Sequence, residues 1–200
     1  MMIRRRILSL MLLGLVLGIA ACSSSKVSFY TLSATTGAEE VKPVGSPSGV
    51  NIGPVSLPEI VDRTQLVVQQ KSSNQVDILE FHRWAEPLKS QIPRLMADNV
   101  GLLLGTGRVS SYPQSVGSDA DIRVPVDIQR FEADGEMVKI DAFWTLRRGF
   151  GEVAKTGRSS ASEKIEGKGY DALASAYSRA LFTISIDIAN ALREELSRQQ

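Results

Sequence analysis

Two stretches in which apolar residues recur at every second position, joined by Asp134-Gly135, constrain this chain more than any other feature. In 121–131, Ile122, Val124, Val126 and Ile128 alternate with Arg123, Asp127 and Gln129. In the second stretch, Val138, Ile140, Ala142, Trp144 and Leu146 alternate with Lys139, Asp141 and Thr145. A period of two sends one set of side chains to one face of a strand, and Asp-Gly is a strong hairpin turn. Residues 152–165 read as a third strand with polar spacers. The three form an antiparallel meander with one wet face, so the dry face must be covered.

Two helices are predicted to cover it. Tyr170, Leu173, Tyr177, Leu181, Ile184, Ile188 and Leu192 recur at intervals of three and four, one continuous stripe over 170–196. Asp171 near its start and Arg198 beyond its end suit the helix dipole. Over 86–104, Leu88, Ile92, Leu95, Asn99 and Leu102 share a face, with Asn99 a polar intruder. Pro87 fits the first turn and Gly105 the stop. Pro93 should kink or divide the helix.

Upstream, 27–32 and 50–57 read as strands, the latter edge-like or irregular at Pro54. Residues 66–70 and 76–81 read as a hairpin around a turn-like KSSNQ. Residues 33–49, rich in Gly, Ser, Pro and Thr, read as a loop. The order β-β-β-β-α-β-β-β-α argues for an α+β fold: a largely antiparallel sheet with two long helices packed on it.

The N-terminus carries a different signal. Arg4, Arg5 and Arg6 precede an apolar run over 7–19, and Ala20 and Ala21 lead into Cys22. This is the three-part layout of a secretory signal peptide, and the run is short for a bilayer span of about 20 residues. Ile19-Ala20-Ala21-Cys22 resembles a bacterial lipobox, in which the cysteine is lipidated after cleavage and carries acyl chains such as palmitate. Cys22 is the single cysteine, so no internal disulfide exists. Two or more acyl chains anchor stably where one does not. The expected organisation is a signal peptide over 1–21, a lipidated tether over 22–26 and one domain over 27–200.

Cleavage after residue 21 of 200 leaves 179 residues, suited to one domain. The whole chain has 23 basic and 22 acidic side chains; losing Arg4, Arg5 and Arg6 leaves 20 against 22, a formal charge of −2. Nothing in that balance suggests a nucleic-acid partner, which would want a basic face.

No catalytic motif stands out. His82 is the single histidine and lacks a recognisable nucleophile and orienter, so a structural or surface role is expected. There is no GxSxG, HExxH or cysteine pair. Gly105-Thr106-Gly107-Arg108 follows a helix and reads as a helix stop rather than a phosphate loop. Glu39-Glu40, Arg147-Arg148 and Glu194-Glu195 read as solvated surface. The sequence argues against an enzyme, and implies no cofactor and no metal.

Three blocks are more specific. Leu57-Pro58, Asp62-Arg63-Thr64-Gln65-Leu66-Val67 and Phe81-His82-Arg83-Trp84-Ala85-Glu86-Pro87-Leu88 resemble the PqiC-type lipoproteins, auxiliary subunits of ABC-linked MCE lipid transport systems. Tyr30-Thr31-Leu32 resembles that family's Tyr-x-Leu start; Leu104-Gly105 with Val109 and Tyr112-Pro113, and the strand ending at Leu146, fit as well. Thr64 departs from the proline usual in the Asp-Arg-Pro-Gln block. The resemblance implies a lipoprotein on the outer membrane facing the periplasm, with Ser23 resembling the matching sorting signal. Its role would be lipid transport between the membranes and envelope integrity, by contact with an MCE-domain partner. Phospholipid and further copies of the chain are additional candidate partners. Tyr30, Leu32, Arg63, Trp84, Pro87 and Leu88 are the candidate partner-contact or family-motif residues. For Trp84, Pro87 and Leu88 the residues themselves favour packing at a strand-to-helix junction. A passive structural or assembly lipoprotein is the alternative, and a periplasmic hydrolase is a third class that the motif search disfavours.

Overall fold

The computed structural model describes residues 26–34, 49–71, 73–113, 120–149 and 151–198. The signal segment, Cys22 and Ser23, Glu39-Glu40 and most of the 33–49 loop lie outside them. In chain order the elements are β1 (Ser28–Tyr30), β2 (Val50–Ser56), β3 (Gln65–Gln69), β4 (Val76–Trp84), α1 (Leu88–Leu104), β5 (Val109–Ser111), β6 (Ile122–Ala133), β7 (Met137–Arg148), β8 (Glu152–Lys164) and α2 (Gly169–Ser197). The fold is α+β, as the element pattern requires, but its strands divide between two sheets. One has the order β5-β2-β6-β7-β8 and the other β1-β4-β3.

The meander forms as read, with Val126 opposite Trp144 and Ile140 opposite Ala161. The β6 and β7 residues predicted to point inward are all buried. The alternation in β6 is interrupted, however. The register slips between Ile128 and Arg130, so Gln129 and Arg130 both face out. This bulge inserts one residue and reverses the phase of the rest of the strand. Phe131 and Ala133 are thereby turned inward, and Phe131 stacks flat on Tyr177 of α2 with ring centroids 4.0 Å apart.

At the β6–β7 turn, Asp134 Oδ1 accepts the amides of Met137 (2.8 Å) and Glu136 (3.1 Å). Gly135 adopts φ 85°, the left-handed conformation for which glycine is suited. Burial alone would raise the Asp134 carboxyl, but those two amides and the Lys139 ammonium hold it below the usual carboxylate range.

β5 has no counterpart in the predicted order. It is three residues long and exists through parallel pairing with Val50–Ile52 of β2. β2 also runs parallel to β6, so the sheet is mixed. Pro54 was expected at an edge or an irregularity. β2 lies inside the sheet, yet its register with β6 slips between Ile52 and Val55, and β5 accompanies it only as far as Ile52. The missing Pro54 N–H therefore falls where the ladder is already broken.

α1 packs on β2 and β5, α2 on β7 and β8, and the helices pack on each other. Pro87 is the residue before the first turn rather than inside it, and Gly105 ends the helix in the left-handed conformation. The helix runs through Pro93 undivided. Leu102 is exposed, contrary to its expected place on the buried face. At this end burial moves round to Val100, Leu103 and Leu104, on the side that β5 covers. On α2 the predicted stripe is buried apart from a half-buried Tyr170, and Ala172, Ala176, Ala180 and Ala191 widen it. The small residues suit a helix covered on two sides, by the sheet and by α1.

One expectation of solvated charge is overturned. Glu195, at the end of α2, is 1% exposed and ion-paired with Arg148 of β7, with Arg198 at 3.8 Å. Its position on the inward arc, beside Leu192 and Leu196, accounts for the burial. Arg148 ends β7 within reach, which fastens the helix to that strand.

Candidate functional site

The sequence blocks that look distinctive come together at one joint. β1 pairs parallel with β4, Tyr30 beside Trp84, and β4 pairs antiparallel with β3. The Trp84 amide donates to Thr64 O (2.7 Å), and the Ala85 amide to Tyr30 O (2.8 Å). Residues from three separate blocks are thus tied together where β4 hands over to α1. Lys89 on the first turn of α1 pairs with Asp62 at 2.6 Å, and Arg94 with Glu86 at 2.6 Å.

Inside the joint is an aromatic column. Trp84 meets Tyr177 edge-on at 6.0 Å, and Tyr177 stacks on Phe131. Complete burial of Tyr177, with the Glu132 charge, pushes its phenol far above the ordinary tyrosine value. Closer to solvent, the Tyr30 hydroxyl lies 2.8 Å from His82 Nδ1, and the His82 ring is 4.2 Å from that of Tyr170. His82 thus links β4 to β1 and α2.

Beyond β1 the chain lies across both helices. The Leu32 amide donates to Gln91 Oε1 (2.9 Å) on α1, and the Ser33 amide to Ser178 Oγ (3.1 Å) on α2. Gln91 also donates to Glu86 O at 2.7 Å, and Ser178 to Ala174 O at 2.9 Å. The sequence reading passed over Gln91 and Ser178. A polar side chain beside an apolar helical stripe was the available signal, and only Asn99 was singled out by it. Asn99 is fully buried with both amide atoms lacking a hydrogen-bond partner.

The six candidate residues divide by accessibility. Trp84 and Leu88 are core, at 4% and 2% exposed, and can affect a partner only through the fold. Tyr30, Leu32 and Arg63 are half-buried, and Pro87 is exposed. Arg63 Nε is enclosed without a hydrogen-bond partner. Behind the joint, Val61, Leu66, Trp84, Phe131, Leu173 and Tyr177 border a cavity of about 10 Å³, room for about one water. A more open, polar cleft of about 160 Å³ lies between Thr31–Ala34 and α1 at Gln91, Arg94 and Asp98. Both are below the roughly 300–1,000 Å³ usual for ligand pockets. Among the described residues no group of three or more metal-ligating side chains is gathered, and no helix is long and apolar enough to cross a membrane.

The joint fastens strands to helices and leaves Tyr30, Leu32, Arg63 and Pro87 at least partly accessible beside it. The chain belongs to the family described as the ABC-type transport auxiliary lipoprotein component, whose model matches residues 30–189. That description makes it a component of a transport system rather than a member of a known enzyme family. Two solved structures have the same fold. One, of an uncharacterized protein, is 21% identical with a TM-score of 0.67, covering 84% of this chain and 99% of that one. The other, of protein XCC0632 from Xanthomonas campestris in the DUF330 family model, is 13% identical with a TM-score of 0.69, covering 87% and 100%. Comparison with curated proteins gives no match.

Proposed function

We propose that this chain is an outer-membrane lipoprotein of an MCE-type, ABC-powered lipid transport system. It is anchored through lipid on Cys22, faces the periplasm and acts by binding its MCE-domain partner. The observation that carries this reading is the family correspondence over residues 30–189, directly downstream of a lipobox-like Ile19–Cys22. Serine at position 23 supports delivery to the outer membrane. The joint supports action by contact, because Arg63, Pro87 and Tyr30 remain partly accessible on a rigid support. Specific interfaces concentrate their energy in a few aromatic, arginine or apolar anchors.

The test is capture of the full-length lipoprotein from envelope membranes, with identification of co-purifying protein and lipid. An MCE-domain protein should accompany the wild type and be depleted for Arg63→Ala at unchanged thermal unfolding. Loss of the MCE protein at every salt and pH tried would leave a passive envelope lipoprotein as the better account. Cys22→Ala should abolish incorporation of a labelled lipid precursor, and equal incorporation would end the lipoprotein reading.

A further inference from the structure

We propose that the outer face of the three-stranded sheet is a membrane-contact surface, lying against the phospholipid bilayer that holds the anchor. The inference rests on lipidation of Cys22. In the β1–β4 register, Ser28 is beside His82, Phe29 beside Arg83 and Tyr30 beside Trp84. Trp84 is buried and His82 contacts Tyr30 and Tyr170, so alternation sends Phe29, Phe81 and Arg83 to the opposite face. The register slip between Gln65 and Leu66 keeps the face continuous along β4. Leu66, paired with Leu79, points into the core, so Ile78, the next residue of β4, points out, and Val76 with it.

The outcome is a band of large apolar side chains in water. Phe29 is 63% exposed, Phe81 49%, Val76 40% and Ile78 38%. The outer face of the larger sheet also exposes Phe143 and Val153, but sets them among charges. There Arg123, Asp127, Gln129 and Arg130 are exposed, and the exposed Phe143 carries the Arg158 guanidinium 5.3 Å above its ring.

The position of the band selects its occupant. Phe29 is the seventh residue after Cys22, and seven extended residues span at most about 25 Å. A lipid on Cys22 therefore keeps this face near the membrane surface whatever else binds. Phe29, Phe81, Ile78 and Val76 share this face with one cation, Arg83, and one carboxylate, Glu80. The two neutralise each other as a pair at 3.6 Å, and Lys26, two residues before β1, adds an exposed cation. Contiguous exposed apolar patches mark interaction sites, and membrane-surface elements sink apolar side chains about 5–10 Å into the headgroup–acyl boundary.

The experiment uses full-length lipidated protein in phosphatidylethanolamine–phosphatidylglycerol vesicles at low protein density. Phe29→Cys, Phe81→Cys and, as control, Phe143→Cys each carry an environment-sensitive fluorophore, Cys22 being blocked by its thioether. Probes at 29 and 81 should shift to the blue and be quenched severalfold more by spin-labelled lipid than the probe at 143. Aqueous emission at all three positions, on protein that floats with the vesicles, would overturn the membrane face while leaving the lipoprotein reading intact, and would return this face to a protein partner. A blue shift that rises with protein density but is insensitive to the lipid quencher would overturn it in favour of self-association. Protein that fails to float and takes label at Cys22 would overturn the lipoprotein reading and this proposal together.

Discussion

Gly157 on β8 lies directly opposite Trp144 on β7, and the indole occupies the space where a side chain would stand. A Cβ built at Gly157 would lie 2.1 Å from Trp144 Cζ2 and 2.4 Å from Cη2. Carbon atoms prefer about 3.5–4.0 Å, so Gly157→Ala must move the ring by about 1.5 Å. The ring has little freedom: it is 6% exposed, and its Nε1 donates to the buried Ser159 Oγ at 3.0 Å. Overpacking costs about 1–3 kcal/mol, and losing that buried hydrogen bond about 1–3 more. The gain from replacing a strand glycine by alanine is only about 0.5–1 kcal/mol. The net expectation is a loss of about 2–4 kcal/mol. For a chain of this size that lowers Tm by roughly 5–15 °C. Urea and thermal melts followed by circular dichroism give the value. A smaller residue at 144 removes the clash, so Gly157→Ala should cost much less in a Trp144→Val background. A single variant within about 0.5 kcal/mol of wild type, or an equal cost in both backgrounds, would refute the packing argument.

Leu181→Ala, at a fully buried position of α2, should cost about 2–5 kcal/mol, while Asp187→Ala, on the exposed side, should stay within about 0.5 kcal/mol in the same melts. Asn99→Leu should raise stability by about 1–2 kcal/mol, because a buried amide with no partner gives way to an apolar side chain of similar shape; a destabilised variant would show that the amide is satisfied in solution. Asp134→Ala should cost about 1 kcal/mol at pH 7. The Asp134 carboxyl is held below its ordinary value, so its contribution is complete above the unfolded pKa of about 3.9 and disappears as pH falls through the lower folded value. Melts from pH 7 downward should show the two proteins converging below about pH 4, and a gap that stays constant into acid would remove the charge from the explanation.

Much of the larger sheet was legible because its cause is local. Period-two alternation placed every inward residue from Ile122 to Ile128 and from Val138 to Leu146. The bulge was written there too, since Ile128 and Phe131 are three apart where two would keep the phase. What the sequence hides is pairing across distance. β5 has no pattern of its own and needs β2 beside it, and the parallel match of β1 with β4 joins segments more than 50 residues apart. Nothing within β8 accounts for Gly157, because its reason, Trp144, stands on another strand. At the candidate site the motif blocks identified residues that converge, but a short motif does not separate packing from presentation. Trp84 and Leu88 turn out to be interior while Pro87 between them is not, a distinction made by the turn from strand into helix.

The parallel seating of β1 also has a mechanical side. A load arriving from the N-terminal side enters through Lys26 and meets a three-residue strand before any part of the main core. Its grip is the short ladder to β4, the Ala85 amide on Tyr30 O and the contact of the Tyr30 hydroxyl with His82. Behind it come the amides of Leu32 and Ser33, held by one side chain on each helix. These few bonds, and not the ladders of the five-stranded sheet, stand first in line between the tether and the core.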